Sequence, residues 1–282
     1  MYLTQPNDPI DYLVIGHLAI DLSEDGPRLG GTAAYAALTA KALGLRVGII
    51  TSWAEEVTSD LFHDIPIINY PTQKSTTFEN IYTPEGRVQF VHHVADNLDF
   101  FMVPEIWRNA PIVHLGPLVQ EVAPDLVRHF PTSLICLTPQ GWLREWDQEG
   151  RVTLCEWPEA AFTLEQSGAA VISIEDIGQD EKRIEELAAS CQILAVTENS
   201  KGVRLYWHGD VRRFPAPLTS EKDSTGAGDI FAAAFFTRLY TTRDPWEAAR
   251  FANQLASYSV KRIGLNSVPT PTEIEECMVE VY

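Results

Sequence analysis

Asp223-Ser224-Thr225-Gly226-Ala227-Gly228-Asp229, continued by Ile230-Phe231-Ala232-Ala233-Ala234-Phe235-Phe236, is the stretch from which the rest of this sequence is read. It has the form of a loop that turns directly into a buried helix. Two glycines, two residues apart, let the backbone bend and turn several N–H groups one way. The Ala-rich apolar run after Asp229 contains neither Gly nor Pro. A helix N-terminus carries unpaired N–H groups and a partial positive charge, so it suits an anion. An aspartate on that same turn is electrostatically awkward beside a phosphate unless it has a task. Taking a proton from a hydroxyl next to a phosphoryl group is such a task. An N-capping Asp with small residues for close packing is the alternative.

The chain has 282 residues, 45% apolar and 21% charged, enough for one generous α/β domain. No apolar run approaches the ~20 residues of a membrane span. The polar N-terminal segment lacks the pattern of a secretory signal. Four scattered cysteines, Cys136, Cys155, Cys191 and Cys277, read as reduced thiols of a cytoplasmic protein. A net charge of −18 argues against nucleic acid or an anionic membrane as partner.

Tyr12-Leu13-Val14-Ile15-Gly16 is a short apolar run closed by glycine, the pattern of a buried strand. Asp21 lies just past its end, where α/β sheets bind ligands, a solvated loop aspartate being the alternative. Leu29-Gly30-Gly31-Thr32 precedes a helix of small residues, Ala33–Leu43, and Arg46–Thr51 is the next strand. This strand–helix–strand order begins a parallel sheet. From 65 to 101 three β-rich segments follow, Ile67–Tyr70, Thr76–Tyr82 and Arg87–His93, with Pro84-Glu85-Gly86 as a hairpin turn. They predict antiparallel strands projecting from the main sheet. His92 and His93 are neighbours on a strand and face opposite sides, so they do not chelate one ion. Further strands are expected at Ile112–Leu115, Ser133–Leu137, Ala169–Ile174, Gln192–Thr197 and Val203–Trp207. Helices are expected at Asp180–Ser190, Asp229–Tyr240, Trp246–Ile263 and Thr272–Val281. The fold expected is one doubly wound, mainly parallel α/β domain over 1–282. Its small β lid is inserted at about 65–101, with 17–28 as a further candidate segment. Neither a GxxxxGK[ST] loop nor a GxGxxG after the first strand occurs, which counts against P-loop and dinucleotide-binding proteins.

The Asp223–Asp229 loop with its helix resembles the C-terminal signature of the ribokinase-like (PfkB) carbohydrate kinase family. Gly30-Gly31 resembles the family's N-terminal glycine pair, and the order of elements is similar over nearly the whole chain. The resemblance implies transfer of the ATP γ-phosphoryl group to a hydroxyl of a small sugar, polyol or related compound. It implies Asp229 as base and the amides of Gly226, Ala227 and Gly228 as anion hole. Asp21, Gly30, Gly31 and Tyr35 fall at the substrate positions, and Thr197, Asn199, Gly202 and Asn253 where ATP is held. Asp223, Thr225, Gly264 and Ser267 fall where many members bind a monovalent cation such as K⁺. Mg²⁺ is expected with ATP. A homodimer through the lid, as in some relatives, is a further implication.

Three positions depart from the family pattern. Tyr35 stands where an Asn is common, which would place an aromatic side chain against the substrate. The Asn-x-x-Glu that organises Mg²⁺ falls near Ser173-Ile174-Glu175-Asp176, leaving Asp176 or Glu175 as the carboxylate. Thr138-Pro139-Gln140-Gly141 has Thr for the Asp of a similar stretch. The alternatives are a nucleoside kinase, with Tyr35, Trp142 or Trp157 stacking on a base, and a non-catalytic ligand-binding relative.

Overall fold

A computed structural model describes residues 8–23, 25–83 and 86–278. Among these, the chain forms β1 (Tyr12–Ile15), β2 (Ala19–Ser23), β3 (Gly26–Gly30), α1 (Thr32–Ala42), β4 (Val47–Ser52), β5 (Ile67–Tyr70), β6 (Thr77–Thr83), β7 (Gly86–His93), β8 (Ile112–Leu115) and β9 (Leu134–Leu137). It continues with β10 (Arg144–Trp146), β11 (Val152–Leu154), α2 (Ala160–Glu165), β12 (Ala169–Ser173), α3 (Glu181–Ser190), β13 (Ile193–Thr197), β14 (Val203–Trp207), β15 (Asp210–Phe214), α4 (Ala227–Thr242), α5 (Pro245–Ser259) and α6 (Pro271–Met278).

Nine strands make the main sheet in the order β15-β14-β13-β12-β9-β8-β1-β4-β5. β14 and β15 are antiparallel additions at one edge, and the remaining pairs are parallel. The strands are apolar on both faces because both faces are covered. In β1, Tyr12 and Val14 join the core that contains the buried residues of α1, α4 and α5. Leu13 and Ile15 join the opposite core, with Trp107, Phe130 and the α3 residues Ile184 and Leu187.

A separate four-stranded sheet has the order β3-β2-β6-β7. It combines residues 19–30 with 77–93. Asp21 is therefore inside a strand of this small sheet and not in a loop past β1. Ile67–Tyr70 departs from the expected lid: as β5 it pairs parallel with β4 and forms the far edge of the main sheet. Its apolar pattern signals a strand but carries no information about which sheet takes it. The hairpin residues Pro84 and Glu85, and 279–281 of the expected last helix, lie outside the described residues. His92 and His93 have different partners, Glu79 and Lys74.

Two features tie the small sheet to the main body. The first is at the strand crossings. His17, between β1 and β2, bonds through Nδ1 to Thr76 Oγ1 (2.7 Å) and through Nε2 to Asp96 O (2.9 Å). Thr76 precedes β6 and Asp96 follows β7. Glu121, buried, accepts from the amides of His17, Leu118 and Val119. The second is the β10–β11 hairpin, whose turn reaches β7: Val91 N donates to Gly150 O at 2.8 Å. Trp146 and Val152 of the hairpin pack on Phe78 and Val91 of the small sheet.

Candidate active site

The loop before α4 is set by Gly226, the helix N-cap, in a left-handed conformation at φ 78°. Any side chain there would meet the Tyr35 ring, which packs directly across it. Ala227 N closes the turn onto Ser224 O at 3.1 Å. Gly228 and Asp229 complete the first helical turn, whose amides have no preceding helical carbonyl to bond.

Asp229 is held by a contact from the other end of the chain. The Thr32 hydroxyl, at the first position of α1, donates to Asp229 Oδ1 at 2.7 Å. Burial pushes the Asp229 carboxyl up to about 6. The Thr32 hydrogen bond opposes that rise, Asp176 adds to it, Arg144 opposes it, and Asp21 adds a little more. A carboxylate titrating there is poised to accept a proton near neutral pH.

Gly30 lies against the Asp21 carboxylate, so a Cβ at that position would collide with it. Asp21, Tyr35, Gly226 and Asp229 are therefore close neighbours. The Tyr35 ring is only 2% exposed. Burial, with Asp21, Asp229 and Asp223 nearby, keeps its hydroxyl protonated. Tyr35 thus supports the loop from beneath and offers no open face to a substrate or base, contrary to the aromatic contact expected from sequence. Trp142 and Trp157 stack on each other in the core, with ring centroids 5.1 Å apart, and do not line the site.

Asp223 staples two loops. Its Oδ1 accepts from Thr225 N (2.9 Å) and its Oδ2 from Gly264 N (3.0 Å). Ser267, in the short turn that Gly264 begins, has a buried hydroxyl with no hydrogen-bond partner among the described residues. Asp176 lies at the C-terminal end of β12. It accepts from Gln140 Nε2 (2.9 Å) and Ser173 N (3.1 Å), and Arg144 Nη2 is 3.6 Å away. Thr138 Oγ1 is 2.8 Å from His114 Nε2. Burial lowers His114 to about 3, so the imidazole is neutral and an uncharged threonine suits it where the similar stretch has Asp.

On the side expected for nucleotide, several residues have structural tasks. Asn253 Nδ2 donates to Phe214 O (3.3 Å) and Pro215 O (2.9 Å), fixing the chain after β15 to α5. Gly202 packs under Phe214 O. Asn199 Nδ2 donates to Glu175 Oε1 at 2.9 Å, joining the loops after β13 and β12. Thr197 Oγ1 donates to Ile172 O at 3.3 Å.

Residues 155–273 match the family described as pfkB family carbohydrate kinase. The C-terminal part of the chain thus carries a pfkB family match, around the Asp223–Asp229 loop and the helices after it. Over 95 residues it is 39% identical to the ribokinase of Bacillus subtilis, 33% of this chain and 32% of that one. The chain thus aligns with about a third of that relative's length. A longer alignment reaches the fructokinase of Escherichia coli, 26% identical over 259 residues, 81% of this chain and 84% of that one. Among solved structures, a pyrophosphate-dependent kinase of the ribokinase family superposes with a TM-score of 0.80 at 21% identity, covering 95% of this chain and 100% of that one. Arabidopsis thaliana ribokinase complexed with ribose and ATP superposes at 0.70 and 17%, covering 96% and 99%. At these identities the structural likeness shows the ribokinase-like fold.

Two residues of the candidate site escape sequence reading. Thr32 follows the glycine pair, and only its place at the start of α1 marks it. Arg144 stands in a three-residue strand, and no local pattern links it to Asp229.

Proposed function

We propose that the protein transfers the terminal phosphoryl group of ATP to a hydroxyl of a small sugar, polyol or related compound. The observation that carries this reading is Asp229. It is a carboxylate with its proton affinity raised by burial, oriented by Thr32, on the first turn of a glycine-hinged helix. A protein that only binds ligands gains nothing from a carboxylate there.

In the proposed reaction Asp229 accepts the acceptor's hydroxyl proton as that oxygen attacks the phosphorus. The bond from phosphorus to the donor's bridging oxygen breaks, and its electron pair leaves with the donor product. The amides around Gly226–Asp229 stabilise charge on the transferred group. Asp21, beside Gly30 and Gly31, orients the acceptor by accepting from its hydroxyls. Mg²⁺ enters as part of the ATP complex. Among the described residues no group of three or more carboxylate, His or Cys side chains gathers to hold a metal. Asp223 and Ser267 fit a monovalent cation next to the anion hole, since the buried Ser267 hydroxyl lacks a partner and Asp223 spans both loops.

A second reading of the donor is pyrophosphate. It is favoured by the engagement of Asn253 and Gly202 in holding the chain after β15, which leaves that side less suited to an adenine. The test is phosphoryl transfer from ATP and from pyrophosphate, in K⁺ and in Na⁺, to a panel of sugars, inositols, other polyols and nucleosides. At least one acceptor should be phosphorylated by the wild type and at least a hundredfold more slowly by Asp229→Asn. Equal rates for the two proteins across the panel would refute the reading.

A further inference from the structure

Thr32 and Tyr35 stand three residues apart on α1, so their side chains lie on one face of the helix. Both are buried. Each meets the start of α4. The Thr32 hydroxyl donates to Asp229 Oδ1 at 2.7 Å, and the Tyr35 ring packs against Gly226, three residues before Asp229. The first turn of α1 is thereby laid along the first turn of α4 by one hydrogen bond and one ring. The bond acts on the carboxylate, and the ring acts on the turn that precedes it.

The ring has a second neighbour. A Cβ on Gly226 would collide with Cδ1, Cε1 and Cζ, along one edge of the ring. A Cβ on Gly30 would stand 3.8 Å from Cε2, at the other edge, and would collide with the Asp21 carboxylate. Ring carbons make both approaches. Tyr35 therefore fills the space between the strand pair that carries Asp21 and the loop before α4. Gly226 needs such a neighbour. Glycine adopts φ 78° without strain, but it adopts other conformations as readily, so its backbone alone does not fix where the following amides point. The loop is tied through Asp223 to Gly264 N, and the fixture next to Gly226 itself is the Tyr35 ring.

We infer that Tyr35 is a positioning residue: its ring holds Gly226, and with it the amides of Ala227 and Gly228, at a set spacing from the strands that carry Asp21. This rests on the phosphoryl-transfer reading above. Tyr35 neither gives nor takes a proton and touches no reacting atom. It acts through the loop. Amides that stabilise charge on a transferred group must already point at it when the charge develops. A loop displaced by about 1 Å leaves the acceptor bound and the transfer slow. The consequence is a defect in kcat and not in acceptor KM, produced by loss of the ring and not by loss of the hydroxyl.

The experiment compares Tyr35→Phe, Tyr35→Leu and Gly226→Ala with the wild type, and adds the double variant Tyr35→Leu with Gly226→Ala. Tyr35→Met, which fills more of the space, replaces Tyr35→Leu where that variant does not fold. Urea unfolding gives the stability of each, and rates are taken where every protein is folded. Tyr35→Phe should keep kcat within about threefold of wild type, whereas Tyr35→Leu should lower it on the order of tenfold to a hundredfold with acceptor KM within a few-fold. Gly226→Ala should also lower kcat, because the new methyl meets the ring. In the double variant the two losses should fall well short of multiplying, since the methyl enters the space the ring has left. A folded Tyr35→Leu with wild-type kcat, a Phe variant as slow as Leu, losses that multiply, or a defect confined to acceptor KM would overturn the assignment while leaving the kinase reading intact. So would failure of the Leu and Met variants alike to fold, which would make the ring a matter of stability alone. A wild type that phosphorylates nothing would overturn both.

Discussion

Asp229 gives up its proton less readily in the folded protein than in the unfolded chain, where an aspartate titrates near 3.8. Its folded value is about 6. Any stability this group contributes is therefore fully present below about pH 4 and is lost as pH rises through 6. At neutral pH the ionised carboxylate is a cost to folding, which the proposed chemistry would explain. Partial solvent access reduces that cost. Asp229→Asn should thus stabilise the protein by about 1–2 kcal/mol at pH 7.5 and by little at pH 4, measured by urea unfolding at the two values. Equal effects at both would show that the carboxylate is not strained. The proposed catalysis runs the other way. The base must be deprotonated, so kcat/KM should rise through a pKa near 6 as pH increases.

At the scale of elements, the helices that build the site are held by ordinary capping chemistry. Asp244 caps α5, its Oδ1 accepting from Trp246 N (2.9 Å) and Glu247 N (3.2 Å), with Pro245 as the first helical residue. Asp244→Ala should cost about 1 kcal/mol in thermal or urea unfolding without changing the pH dependence of any activity. Such signals are local, so they are readable in sequence: Asp180 before α3 and the glycines before α1 and α4 are of this kind. The parallel core strands are equally legible as short apolar runs. What is not legible depends on partners distant in the chain. Ile67–Tyr70 reads as a strand, but its pairing with β4 is decided by tertiary packing. The three-residue strands β10 and β11 are too short for periodicity to register. The proposed base and the glycine turn stand out because they are compressed into seven residues. Thr32 and Arg144 reach Asp229 across 197 and 85 positions, and no spacing rule connects them. Tyr35 was visible, but its burial beneath Gly226 was not, because one residue's identity does not reveal what covers it.

Across the whole molecule, the small sheet is joined to the main body at crossings that converge on His17 and Glu121. Glu121 accepts from three buried amides. Glu121→Ala would leave these donors unpaired and should cost about 3 kcal/mol or more in urea unfolding. A loss under about 1 kcal/mol would mean that the crossings hold without it. The hairpin of β10 and β11 adds another kind of connection. It touches β7 through Gly150 and Val91, and its first residue is Arg144. The small sheet, which carries Asp21, cannot move rigidly without either carrying that hairpin or breaking its contacts. The position of the small sheet is thereby coupled to that of the hairpin. Such coupling is reciprocal in free energy: by whatever factor a ligand held by the small sheet would tighten one held beside the hairpin, the second would tighten the first.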